Sequence, residues 1–460
     1  MTSVGKAGQA DKPLPHPISL AEASRFWLRL GLVSFGGPAG QIALLHRELV
    51  DHRRWLSERR FLHALNYCML LPGPEATQLA TYLGWLMHGV PGGLIAGGLF
   101  LAPSVVVLTG LATVYVLWGQ LPLLVAVFAA LKPAVLAIVI VAAWRVGRRT
   151  LHSPLLMVLA IGAFVALALL KLPYPLVIAA AAGVGLLCGR WHPGLRQRQA
   201  RATAPIGRHT PAASQPARAI HDDLTPTPPH ARVSRRRLAV ILLVWALALL
   251  LPLMLLVVLG GWQGTLAQMA RFFTRVALLS FGGAYAVLPY VAQGAVEQFG
   301  WLSATQMLDG LALGETTPGP LIMVVAFVGF MGGWTTGLGG SIGSWLAALA
   351  ATLVTVWFTF LPSFGFILAG APLVEATRDD LRFGAPLTAI TAAVVGVIAS
   401  LALFFAEPVL WSASGFNRIA ALVVIMALIA QLRLRWGVLQ VIGAAAACGI
   451  VAAVVQILVP

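Results

Sequence analysis

The sequence predicts an all-α, polytopic membrane protein of two homologous halves in inverted orientation, with broken or re-entrant helices. Three observations predict it. First, 59% of the 460 residues are hydrophobic and only 10% are charged, whereas a soluble domain carries about a quarter charged residues. Second, uncharged apolar runs recur along the chain; residues 238–260 alone supply 23, enough to span a bilayer. Third, one set of motifs occurs twice. Ser34-Phe35-Gly36-Gly37, Trp55-Leu56-Ser57 and Pro72-Gly73-Pro74 return as Ser280-Phe281-Gly282-Gly283, Trp301-Leu302-Ser303 and Pro318-Gly319-Pro320, at a constant offset of 246 residues. Duplicated halves with interrupted helices are the usual build of secondary transporters.

From the N-terminus, residues 1–20 are a polar, proline-containing tail without the apolar core of a signal peptide. The first repeat covers 21–189, with apolar stretches at 93–118, 121–144, 154–170 and 175–189. Residues 190–237 are rich in Arg, Pro, Ala, Thr and His and read as a basic, disordered, cytoplasmic linker. Residues 238–260 form an unpaired helix whose extra crossing inverts the second half. The second repeat covers 268–460, with apolar stretches at 334–360, 386–405, 419–430 and 438–459.

The net charge of +16 sits in loops between these runs. That is the positive-inside pattern of a membrane protein, not the footprint of a nucleic-acid binder. Residues 46–60 contain five Arg and 145–152 contain three, whereas the second-half counterpart 292–306 has no Lys or Arg and carries Glu297. Arg433 and Arg435 appear where the first half has only Lys171. The bias therefore changes sides between repeats. If both Arg-rich loops are cytoplasmic, residues 61–88 contribute no crossing or two, and two prolines around Gly73 forbid one continuous helix. Irregular backbone at that depth must be buried in protein or line a wet cavity.

The breaks are where chemistry is expected. Gly36, Gly37, Gly282 and Gly283 let backbone approach a ligand. The breaks at Pro72, Gly73 and Pro74 and at Pro318, Gly319 and Pro320 leave free N–H groups at the start of the next half-helix, a setting for an anion. Arg29 and Arg275 precede the Ser-Phe-Gly-Gly motifs at equivalent positions and offer positive charge, or serve as interfacial anchors. Lys132 lies among Ala, Leu and Val within 121–144; an unpartnered lysine there is costly, so it is expected to face a wet site. Glu75 and Glu315 are candidates for proton coupling, because intramembrane carboxylates are expensive. Asp309 reads as closer to a loop. Gln41, Asn66, Thr77 and Gln78 read as caps or helix bridges, with donation to an oxyanion as the alternative, His63 and His88 as packing histidines, and Trp55 and Trp301 as surface anchors. The three cysteines form no CxxC pair, and no nucleotide, nicotinamide or hydrolase motif is present. The reading is a transporter, not an enzyme, with no metal and no cofactor.

Ser34-Phe35-Gly36-Gly37-Pro38, Pro72-Gly73-Pro74-Glu75 and Gly314-Glu315-Thr316-Thr317-Pro318-Gly319-Pro320 resemble the chromate ion transporter family, in its long two-half form. The resemblance runs from Phe26 to the C-terminus. It implies export of chromate across the bacterial inner membrane, chromate resistance, coupling to the proton-motive force, and sulfate as a competing analogue. A sulfate or other oxyanion transporter of the same fold, or a passive anion channel, is the alternative. The oligomeric state is open, with a homodimer among the options. The second half departs from the first, with Ala284-Tyr285 in place of Pro38-Ala39 and Leu321 in place of Glu75, so identical ligands from both halves are not expected.

Overall fold

The computed structural model describes residues 18–191, 219–220, 228–231, 234–281, 283–336, 340–376, 384–412 and 415–458. Most of the N-terminal tail, most of the 190–237 linker and Gly282 lie outside the described residues.

Among the described residues the regular structure is helical apart from a two-stranded hairpin, β1 (Trp411–Ser412) against β2 (Gly415–Phe416). The first half comprises α1 (Leu20–Val33), α2 (Gly37–His46), α3 (Glu58–Cys68), α4 (Glu75–Trp118), α5 (Pro122–Thr150), α6 (Pro154–Ala168) and α7 (Tyr174–Trp191). After α8 (Arg235–Gly260) the second half gives α9 (Thr265–Leu278), α10 (Ala284–Ala292), α11 (Ala304–Thr316), α12 (Val324–Thr335), α13 (Gly340–Ala376), α14 (Gly384–Leu410), α15 (Arg418–Leu432) and α16 (Val438–Leu458). Among the described residues, six helices are long and apolar enough to cross a membrane. The chain is a multi-pass membrane protein.

The repeat extends to local geometry. A π-helical turn follows α2 at Arg47–His52 and α10 at Gln293–Gln298, again 246 residues apart. Each ends with a tryptophan N–H reaching back, Trp55 to the Leu49 carbonyl and Trp301 to the Ala295 carbonyl, both at 2.8 Å. Ser57 and Ser303 then cap α3 and α11 through their side chains. The two tryptophans are 4% and 3% exposed, which corrects the expectation of surface anchors. Trp55 packs 4.7 Å from the Phe26 ring and Trp301 stacks on Phe299 at 4.6 Å. They bring the chain back beside the middle of α1 and α9, so each Ser-Phe-Gly-Gly break is the tip of a hairpin.

The Pro-Gly-Pro breaks are hairpin tips too. Gly310 and Gly314 on α11 face Phe327 and Val324 on α12, the pairing of two antiparallel limbs. In the first half, Tyr67 on α3 lies 6.2 Å from Tyr82 on α4. A third reversal lies inside α4, where His88 and Gly89 leave helical backbone. Gly84 packs on Gly92 and Ala96, and Thr81 on Gly93 and Gly97, so the limbs on either side of Gly89 run antiparallel. Small residues permit that approach. Gly89 has φ +67°, which suits glycine. His88 Nε2 lies 2.8 Å from the Ile18 carbonyl, which returns the reversal to the end of the molecule where α1 begins. Residues 61–88 therefore make a there-and-back excursion, as the charge parity required. In the second half Gly329 and Gly333 on α12 pack on Ala351, Ala347 and Thr355 of α13. The run 334–360, expected as one span, is thus divided between two helices.

Two apolar cores result, and each mixes the halves. One joins the hairpins of α1 to α4 with Ile367, Leu368 and Ala371 of α13. The other joins α9 to α12 with Leu101, Leu108 and Ala112 of α4 and much of α5. Helix α8 has no buried residue and is tied to α13 through Trp245 Nε1 to the Leu361 carbonyl (3.2 Å) and Trp357 Nε1 to the Ala248 carbonyl (3.0 Å). It begins at Arg235, so the three arginines expected at the linker's end form its first turn. Two pieces of the linker are also packed, which corrects the reading of it as wholly structureless: the Ile220 N–H reaches the Arg54 carbonyl at 3.1 Å, and the His230 ring meets Trp85 at 5.5 Å.

Candidate functional site

Each Pro-Gly-Pro break is completed by the opposite half. The Gly73 N–H donates to the Ser280 carbonyl at 2.8 Å, and the Gly319 N–H donates to the Ser34 carbonyl at 2.6 Å. These two bonds are repeat images of one another. Gly73 and Gly319 hold φ of +132° and +105°, where side chains are disfavoured. A Cβ on Gly73 would strike Ser363 of α13, and one on Gly319 would strike Ser104 of α4. Ser104 Oγ donates to the Pro318 carbonyl. Pro103-Ser104 and Pro362-Ser363 are thus a further repeated pair, at an offset of 259. The extra 13 residues hide it from a fixed-offset reading.

Four helix starts converge on these two crossings. Helix α2 begins at the Ser34–Gly319 crossing, a 3-10 turn at Leu321–Met323 leads from that crossing into α12, and α4 and α10 begin at the Gly73–Ser280 crossing; none of the four helices has a side-chain cap. Their first N–H groups and dipoles point positive charge at the breaks. Gly36 (φ +93°) and Gly283 (φ +92°) supply the left-handed residue before α2 and α10.

Polar side chains lie at both crossings. Gln41, 1% exposed, donates Nε2 to the Gly319 carbonyl at 2.5 Å. Gln78 donates to the Pro72 carbonyl at 2.8 Å. The hydroxyls of Ser34, Ser280, Ser363 and Thr77, all buried, make no hydrogen bond with protein. They can donate to an oxyanion. Sequence reasoning stressed the glycines of Ser-Phe-Gly-Gly and passed over its serine, although the serine was part of the repeated motif.

The ionisable candidates separate. Glu315, 8% exposed, accepts from the Tyr285 hydroxyl and lies in the last turn of α11 beside the second break. Glu75 opens α4 directly after Pro74. Lys132 does not stand alone: its Nζ lies 3.6 Å from Asp309 Oδ2, which also accepts from Tyr115 at 2.9 Å. Asp309 is 3% exposed, midway along α11, so it is a buried helix residue and not a loop one. Arg29 and Arg275 are exposed on α1 and α9, and Arg275 hydrogen-bonds Tyr290 of α10. Asn66 is part-buried on α3. Among the described residues no group of three His, Cys, Asp or Glu is placed to hold a metal.

A family model described as chromate transporter matches residues 21–186 and 267–450. The chain is 32% identical to a chromate transport protein of Pseudomonas aeruginosa over 86% of this chain and 83% of that one. It is 26% identical to a chromate transport protein of Cupriavidus metallidurans over 85% and 83%. An uncharacterized transporter of Methanocaldococcus jannaschii is 24% identical over 84% of each. No solved structure matches. The two matched segments coincide with the two halves that exchange their Pro-Gly-Pro breaks, and this protein belongs to the chromate transporter family, a family of transporters and not of enzymes.

Proposed function

We propose that the protein moves chromate out of the cytoplasm across the bacterial inner membrane, driven by the proton-motive force. The observation that carries this reading is the reciprocal crossing of Gly73 on Ser280 and Gly319 on Ser34. The two crossings between them carry four uncapped helix starts and four hydroxyls without protein partners. A tetrahedral dianion is bound well by N–H and O–H donors that need no net positive charge. That fits a site where Arg29 and Arg275 are exposed and Lys132 is already paired with Asp309. Gly36, Gly37, Gly73, Gly282, Gly283 and Gly319 supply the close backbone approach, and the flanking prolines hold the breaks open. Inverted halves are supported by the arginines: Arg145, Arg148 and Arg149 at the end of α5 share a cavity with Arg435 after α15. The linker, which comes after α7, then lies on that cytoplasmic side. Rocking of one half against the other exposes the crossings alternately.

Glu75 and Glu315 couple the proton. An ionised carboxylate repels the dianion and a protonated one does not, so proton entry and anion exit alternate. The test uses inside-out vesicles with an imposed proton gradient and measures chromate uptake. Replacing Glu75 and Glu315 by Gln together is expected to abolish the gradient dependence. Gradient-driven uptake at the native rate in that double variant removes both carboxylates from the coupling. Sulfate in the same vesicles, as a competitor, reports the selectivity.

A further inference from the structure

A second concentration of positive charge lies away from the crossings. The last turns of α5 and α15 border an open cavity of about 470 Å³ lined by Arg145, Arg148, Arg149, Arg435, Trp144 and Gln431. Among the described residues no acidic side chain lines it. Gln431 is 4% exposed, and neither its Oε1 nor its Nε2 has a hydrogen-bond partner. A buried amide left unpaired is costly, and four guanidinium groups around one cavity repel one another. Both costs are relieved by one kind of occupant: an anion that accepts from the fork-shaped donors and from the amide. Phosphate oxygens match that fork bidentately.

The surroundings specify where such a group comes from. Trp144 is 56% exposed, and the neighbouring Leu432 and Leu434 are 49% and 61% exposed. Exposed aromatic and aliphatic side chains beside arginines mark the headgroup level of a bilayer. Basic pockets between helices on the cytoplasmic side take lipid phosphates.

We propose that this cavity is a phosphate-binding site that takes the headgroup of an anionic lipid. The ligand chemistry is that of a phosphate ester, so free phosphate is the other source to be separated from it. Of the cavity arginines, Arg145 is also within electrostatic reach of Tyr285, the partner of Glu315, so the site is tested through Arg148, Arg149 and Arg435.

The experiment takes the purified full-length protein in detergent. Native mass spectrometry measures adducts with added cardiolipin, phosphatidylglycerol and phosphatidylcholine, and calorimetry measures inorganic phosphate. Anionic lipid adducts are expected and phosphatidylcholine adducts are not. The triple variant Arg148→Gln, Arg149→Gln, Arg435→Gln is expected to weaken the anionic adducts by about tenfold or more, the loss of at least one charge-assisted contact. Gln431→Ala keeps every charge and is expected to weaken them severalfold, which guards against a folding defect in the triple variant. Arg433→Gln, outside the cavity lining, is expected to change nothing. Phosphate binding by calorimetry that the triple variant abolishes assigns the site to the free ion. Equal adducts with phosphatidylcholine, or adducts unchanged in both the triple variant and Gln431→Ala, overturn the proposal.

Discussion

Gly319 shows how much a single position can carry. Its φ of +105° disfavours any side chain, its N–H holds Ser34, and its α-carbon faces Ser104. Gly319→Ala is expected to cost on the order of 2 kcal/mol from the backbone alone, with the clash added. The readouts are a lower melting temperature in detergent and loss of chromate uptake; a partial return on adding Ser104→Gly would show that the collision contributes. Asp309 makes a second case. Removing its charge leaves Lys132 without its ion-pair partner, and breaking a buried pair costs about 3 to 5 kcal/mol. Because the Lys132 side chain is 26% exposed, Asp309→Asn is expected near the lower end. Replacing Lys132 by Met and Asp309 by Leu together should cost less, and thermal unfolding of the three variants distinguishes these outcomes. The sequence showed Lys132 as an anomaly in an apolar run. It did not show Asp309 as the answer, because the two lie on helices 177 residues apart in the chain (309 − 132).

At the scale of elements, hairpins replace single spans. The Pro-Gly-Pro motifs announced an interruption, and the parity of arginine-rich loops required that residues 61–88 return to the side they left. Neither observation pointed to Gly89 as the place of return, since an isolated glycine in a glycine-rich run carries no distinct signal. The pairing of Gly84 with Gly92 and Ala96 predicts that Gly92→Leu wedges the limbs apart and lowers thermal stability, whereas Gly98→Leu, which meets nothing within 4 Å, is tolerated. The same geometry predicts accessibility. Cysteines at Ser57 and His88 should label from one face of the membrane, and one at Gly119 from the other. Labelling of His88→Cys and Gly119→Cys from the same face would refute the hairpin. The tryptophans of the Trp-Leu-Ser motifs teach a related lesson. Tryptophan is common at membrane surfaces, but these two pack against phenylalanines inside the hairpins.

For the whole molecule, the cores are exchanged. The hairpins of the first half rest on α13, and those of the second on α4 and α5. Neither half can close its own break, because Gly73 needs Ser280 and Gly319 needs Ser34. Residues 1–215 and 216–460 expressed separately are therefore expected to be unstable and inactive, and co-expression to restore chromate uptake. Stable, active accumulation of either part alone would contradict the exchange. Counting the shorter helix α15 as a crossing together with α8, α13, α14 and α16 predicts a C-terminus on the side opposite the linker; an alkaline phosphatase fusion after Pro460 should be active and one at residue 215 inactive.

Composition, the 246-residue repeat and the loop charges determined by themselves that this is a duplicated membrane protein with broken helices. Those properties reside in residue type and spacing, and they survive without knowledge of contacts. Which serine meets which glycine, that Lys132 has a partner, and that four arginines and Gln431 border one cavity were decided only by the tertiary structure. Long-range pairing between half-helices depends on how two chain segments cross in space, and no local periodicity encodes that crossing.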